Sequence, residues 1–198
     1  MKINFTKKTI TLTSIALLLL ITVGTTLALI FTSTGDVENT FKPSRVACAV
    51  VEGTNDPVES DIVNIGTVKE DVKIQNTGDT DAFIRVAVVV NWMSEDGTKV
   101  WATAPKSGTD YSIEFASGWK QGADEYWYYT ESVAPMSLTK PLITKAEQKT
   151  VAPDGYYLSI EIVASAIQSS PDTTVKTQWK NNKVDIDVSN GTLTVINK

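Results

Sequence analysis

Apolar and polar positions alternate along most of this chain with a period of two, and one long apolar run stands apart near its start. Arg45 to Glu52, Asp71 to Asn76, Ala82 to Trp92 and Tyr156 to Ile167 are rich in Val, Ile and aromatic residues and are bounded by Gly, Asn and Asp. That composition and period predict strands. In the last of them Leu158, Ile160, Ile162, Ala164 and Ala166 alternate with Tyr157, Ser159, Glu161 and Ser165, so one face belongs to a core. Phe83 to Val90 is apolar at both parities, which predicts a strand buried on both faces.

Turns punctuate the strands. Asp96-Gly97 lies between Trp92 and Trp101, and Gln121 to Asp124 lies between Trp119 and Trp127. Asn190-Gly191 joins Val184–Ser189 to Thr192–Ile196, a strong two-residue hairpin signal because both turn positions need positive φ. Asp172 to Trp179 reads as a short helix capped by Ser170 or Asp172. Eight to ten short strands predict an all-β domain, a single β-sandwich of jelly-roll type over residues 44–198.

The apolar run from Ile10 to Phe31 carries no charge, and Lys2, Lys7 and Lys8 precede it. A basic start, an apolar middle and small residues at Thr26 and Ala28 predict an export signal over residues 1–28, cut before Leu29. The second reading is an uncleaved anchor, because a helix of this length crosses a hydrocarbon core of roughly 30 Å. Both place the C-terminal part outside the membrane. Residues 29–43 then form an N-terminal arm leading into the first strand.

Charge and composition narrow the function. The whole chain has 18 Lys+Arg and 23 Asp+Glu; the signal takes three lysines and no acid, leaving a mature net charge of −8 over 170 residues. Nucleic acid and anionic membranes are poor partners for such a surface. Cys48 is the lone cysteine, so no internal disulfide forms, and its neighbours Val46 and Val50 predict a buried thiol. There is no histidine, which removes Ser-His-Asp and Cys-His catalysis and nearly every catalytic zinc site. The expectation is a protein that is not an enzyme and holds no cofactor. Asp79 and Asp81, in the polar turn Asn76 to Asp81, are weak calcium candidates, since calcium needs six or more oxygen ligands. Trp119, Tyr126, Trp127 and Tyr128 crowd into one hairpin. They admit two readings: a row of ligand-facing aromatics that stacks on cell-wall or matrix polysaccharide, or alternate members buried in the core.

The stretch Gly24 to Ser33 followed by Asn39-Thr40-Phe41 resembles the signal and early mature segment of TasA/camelysin-like proteins. Val72 to Val86, with its Asn-Thr-Gly-Asp-Thr-Asp-Ala turn, and Ala164 to Ser169 look similar to that group as well. The resemblance implies export in a Gram-positive organism, processing by a SipW-type signal peptidase, a jelly-roll domain and a role as a fibre subunit of the extracellular matrix or biofilm. The metallopeptidase activity that the camelysin name carries is rejected here, because no histidine ligand exists. Three functions result: a self-assembling matrix protein joined through its N-terminal arm, a carbohydrate-binding surface module, or a membrane-tethered ectodomain.

Overall fold

The computed structural model describes residues 44–52 and 62–198. The export signal, Thr26, Ala28, Leu29, the arm and the Ile10–Phe31 run lie outside them. Among the described residues no helix is long and apolar enough to cross a membrane.

Among the described residues twelve strands and one helix follow in order: β1 (Cys48–Val51), β2 (Ile62–Val63), β3 (Val68–Lys69), β4 (Lys73–Asn76), β5 (Ala82–Ser94), β6 (Tyr111–Phe115), β7 (Trp119–Gln121), β8 (Trp127–Tyr129), β9 (Ile143–Gln148), β10 (Tyr156–Gln168), α1 (Asp172–Gln178), β11 (Val184–Ser189) and β12 (Thr192–Asn197). The chain is all-β. The predicted strands are present, with β1 starting three residues later than its pattern and β5 running two residues further.

The longest elements organise the rest. β5 and β10 pair antiparallel through all their residues, Ala82 opposite Gln168 and Ser94 opposite Tyr156. They form the centre of a five-stranded sheet in the order β2-β10-β5-β8-β7. A second assembly surrounds β9, with β3 on one side and β6 on the other. β4 joins it through the stretch before β9, where Thr139 N–H donates to Ile74 O (2.9 Å) and Leu142 N–H to Val72 O (2.7 Å); β1 pairs with β4.

Directly opposed residues of an antiparallel pair share a face. Ile84, Val86 and Trp92 of β5 and Leu158 and Ile160 of β10 therefore point one way, and they meet Val72, Ile74, Leu142, Ile143 and Ala146 of the second assembly in one buried cluster. Among the described residues the opposite face of β5 carries a buried cluster at one end. There Phe83 joins Tyr128, Val175, Trp179, Val184, Ile186, Val188 and Leu193 in a second cluster built by α1 and the β11–β12 hairpin. Farther along that face Val89 is 37 % exposed and Val163, opposite Ala87 on β10, 47 %. The expectation that β5 is buried on both faces thus holds near Phe83 and not at Val89, where the described cluster of α1 and the hairpin no longer packs on it.

Two local details follow the chemistry of their residues. Asn190 and Gly191 sit at φ 52° and 74°, the geometry of the predicted two-residue hairpin. α1 lacks the predicted side-chain cap: its N-cap is Pro171, with no side-chain hydrogen bond. Tertiary packing of Val175 and Trp179 in the second cluster holds the helix instead.

Candidate strand-acceptor cleft

One edge of β5 is fully paired and the other is not. β8 reaches it only at Arg85 and Val86, opposite Tyr128 and Trp127. At its far end β5 closes on its own hairpin, with Trp101 N–H donating to Trp92 O (2.9 Å). Between these two points Ala87 to Asn91 have no described partner on that edge. The core row registers the gap: Ile84, Val86 and Trp92 are buried, while Val88 and Val90 between them are only half-buried.

A cavity of about 360 Å³ opens beside this edge. Val88 and Val90 line one side, Ile113 and Phe115 of β6 the other, with Trp127 of β8 at its end; exposed Gln121 and Glu125 add polar lining. Phe115 and Trp127 stack with ring centroids 3.8 Å apart, tying β6 to β8. A row of backbone donors and acceptors with no partner among the described residues, beside a cavity of mixed polar and apolar lining, can accept an added strand: the main chain pairs with the edge, and alternate side chains enter the cavity.

The four aromatics of the predicted ligand-facing row separate by parity. Trp119 is 3 % exposed, packs on Tyr129 and donates its indole N–H to Lys140 O (3.2 Å). Tyr128 is fully buried on the other face and donates its hydroxyl to Asp124 Oδ2 (2.7 Å). Burial and this carboxylate partner push the Tyr128 phenol up to about 12. Tyr126 is half-buried beneath the Arg85 guanidinium, which lies 4.3 Å from its ring centroid and 4.9 Å from that of Trp179. Trp127 lines the cavity beside β5, with one ring face already taken by Phe115. No flat aromatic platform results.

Asp79 and Asp81 do not converge. Asp79 Oδ1 accepts the Arg45 N–H (2.6 Å), and the Asp81 carbonyl accepts the Ser169 N–H (2.9 Å). Among the described residues no three acidic, Cys or His side chains group as a metal site would require. Their turn has a structural role. Buried Asn76 donates to Thr80 O and Val133 O (both 2.8 Å) and accepts from Gly78 N–H (2.9 Å), and a Cβ on Gly78 would collide with the Arg45 carbonyl. Cys48 is half-buried with no disulfide, and burial raises its thiol pKa.

The lining of the cleft escaped the sequence reading. Val88, Val90, Ile113 and Phe115 look like ordinary core residues, and only the pairing of β5 shows that the edge beside them has no described partner. Compared with protein-family models, curated proteins and solved structures, the chain matches none.

Proposed function

We propose that the chain is an exported, non-enzymatic structural protein of the Gram-positive cell surface or matrix, a fibre subunit that assembles by strand donation. Its two sheets form a sandwich of jelly-roll type. The residue 29–43 arm of one copy pairs with the open edge of β5 in the next, and its apolar side chains enter the trough beside Val88 and Val90. The observation that carries this reading is the stretch Ala87–Asn91, which has no partner on one edge among the described residues and borders the cavity lined by Val88 and Val90. Donation in one direction does not close on itself, so it yields filaments. The resemblance to TasA/camelysin-like proteins and the apolar run at Ile10–Phe31 support export and a matrix setting.

The test compares a chain that starts at Leu29 with one that starts at Ser44, by size-exclusion chromatography and negative-stain microscopy. The longer chain is expected to form filaments and the shorter to stay monomeric. Monomers from both, at high concentration, would refute assembly through the arm. Intact-mass measurement of protein from the culture checks the start: Leu29 supports export with cleavage, whereas a species retaining residues 1–28 favours the tethered ectodomain.

A further inference from the structure

The gap on the edge of β5 is bounded at both ends. Before Ala87 the edge is taken by Tyr128 and Trp127, and beyond Asn91 by the hairpin that returns Trp101 to Trp92. An added strand therefore has about five residues, roughly 17 Å, before it must leave the edge. An internal segment would have to bend away twice, whereas a chain terminus bends away once. The end nearest β8 is a tight turn: Gly122 N–H donates to Tyr126 O (2.9 Å) and Glu125 N–H to Gly122 O (3.0 Å), with Glu125 at φ 72°.

The lining at that end converges on one face. Val86 stands opposite Trp127, and Trp127 opposite Gln121, so Gln121 lies on the face that carries Val88 and Val90. Glu125 lines the same cavity, beside the walls made by Ile113 and Phe115. An amide and a carboxylate thus stand where the apolar walls end. Glu125 is exposed and forms no ion pair among the described residues. A carboxylate only accepts hydrogen bonds, and its strongest partner is a cationic donor.

We infer that the cavity receives the amino terminus that processing creates, with the Leu29 α-ammonium group against Glu125 and Gln121 and the strand running parallel to β5. The inference rests on the strand-donation reading above and specifies its docking group and direction. With Leu29 opposite Val88, alternation brings Phe31 opposite Val90 on the cavity side and sets Ile30 on the other face beside exposed Val89. Thr32 then reaches Asn91, and Ser33-Thr34-Gly35 follow where the arm must leave the edge. The antiparallel direction fits less well: with Phe41 opposite Val88, Asn39 faces Val90 and Lys42 falls on the face away from Glu125. An α-amino group is charged at neutral pH, and within an uncut chain Leu29 has none. The cut that releases the protein therefore also creates the group that docks, and unprocessed chain does not assemble.

The test prepares the chain from Leu29 with a free amine, with an Nα-acetyl group, or with Thr26-Leu27-Ala28 retained, and reads the critical concentration for filaments by sedimentation. The free amine is expected to assemble at a concentration about tenfold or more below the acetylated form, and the extended chain to stay monomeric in that range. Glu125→Gln is expected to bring the free-amine chain to the acetylated level and to abolish the difference between the two. Acetylation changes no residue of the folded domain, so the comparison stands even where Glu125→Gln fails to fold. Equal critical concentrations for free and acetylated chains would overturn this inference and leave strand donation standing. An acetyl effect that persists unchanged in Glu125→Gln would do the same. Assembly lost in Lys42→Gln but indifferent to acetylation would overturn it in favour of the antiparallel direction. Monomers from the free-amine chain would refute strand donation and this inference together.

Discussion

Lys69 carries its charge into the interior. Its ammonium lies 2.5 Å from Glu52 Oε1, with side chains 5 % and 15 % exposed, and it also reaches the Ile160 carbonyl at 3.5 Å. The pair therefore links the end of β1 to β3 and to the backbone of β10 in the other sheet. Removing one partner of such a pair strands the other charge, which costs about 3–5 kcal/mol. Lys69→Met is expected to lower the urea midpoint by a corresponding amount, and the double change with Glu52→Leu to recover most of it. A single variant as stable as the parent would show that water reaches Glu52 freely.

Tyr128 gives the residue scale a pH signature. Its folded-state pKa of about 12 lies above the ordinary tyrosine value near 10. A group raised on folding contributes stability that is fully present below the unfolded value and is lost as pH rises through the folded one. Stability should therefore fall between about pH 10 and about 12 as the unfolded chain ionises first. Tyr128→Phe is expected to flatten that part of the profile, while destabilising the protein at neutral pH because Asp124 loses a donor. Chemical denaturation followed across this window decides it; an equal slope in both proteins would assign the alkaline transition elsewhere.

At the scale of elements, the legible parts are those whose cause is local. The Asn190-Gly191 hairpin and β10 with its single apolar face follow from turn chemistry or a short-range period. What was not legible depends on partners. Trp119 and Tyr128 look alike in sequence, yet one enters the main core and the other the second cluster. That Asp79 Oδ1 accepts the Arg45 N–H was not legible either, because Arg45, just before β1, lies 34 residues away in sequence. The same contact makes a prediction. Gly78→Ala must push β1 away from its turn, since the added methyl would overlap the Arg45 carbonyl. Forced overpacking of this kind costs about 1–3 kcal/mol. Hydrogen exchange should show the loss concentrated in β1, with the β5–β10 pair still protected; uniform loss across both would mean that β1 is not a separable element.

For the whole molecule the question is what completes the sheet beside β5. Strand addition satisfies backbone groups and covers the half-buried Val88 and Val90 together, and neither gain is available to a domain without a donor. A peptide of residues 29–42 added in trans to the chain that starts at Ser44 should therefore raise its melting temperature with concentration, as any ligand of the native state does. The pairing is expected to perturb Trp127 fluorescence, because that ring ends the trough, and to leave Trp101 at the far hairpin unaffected; single-tryptophan variants separate the two. Alternation supplies the specificity control. In an extended arm Leu29, Phe31, Val37 and Phe41 fall on one face, so a peptide with Phe31 and Val37 changed to Ser should fail where one with Thr32 and Thr34 changed to Ser still binds. Stabilisation by all three peptides alike would mean that the edge recruits any extended backbone, and absence of any effect would leave β5 an open edge that the arm does not fill.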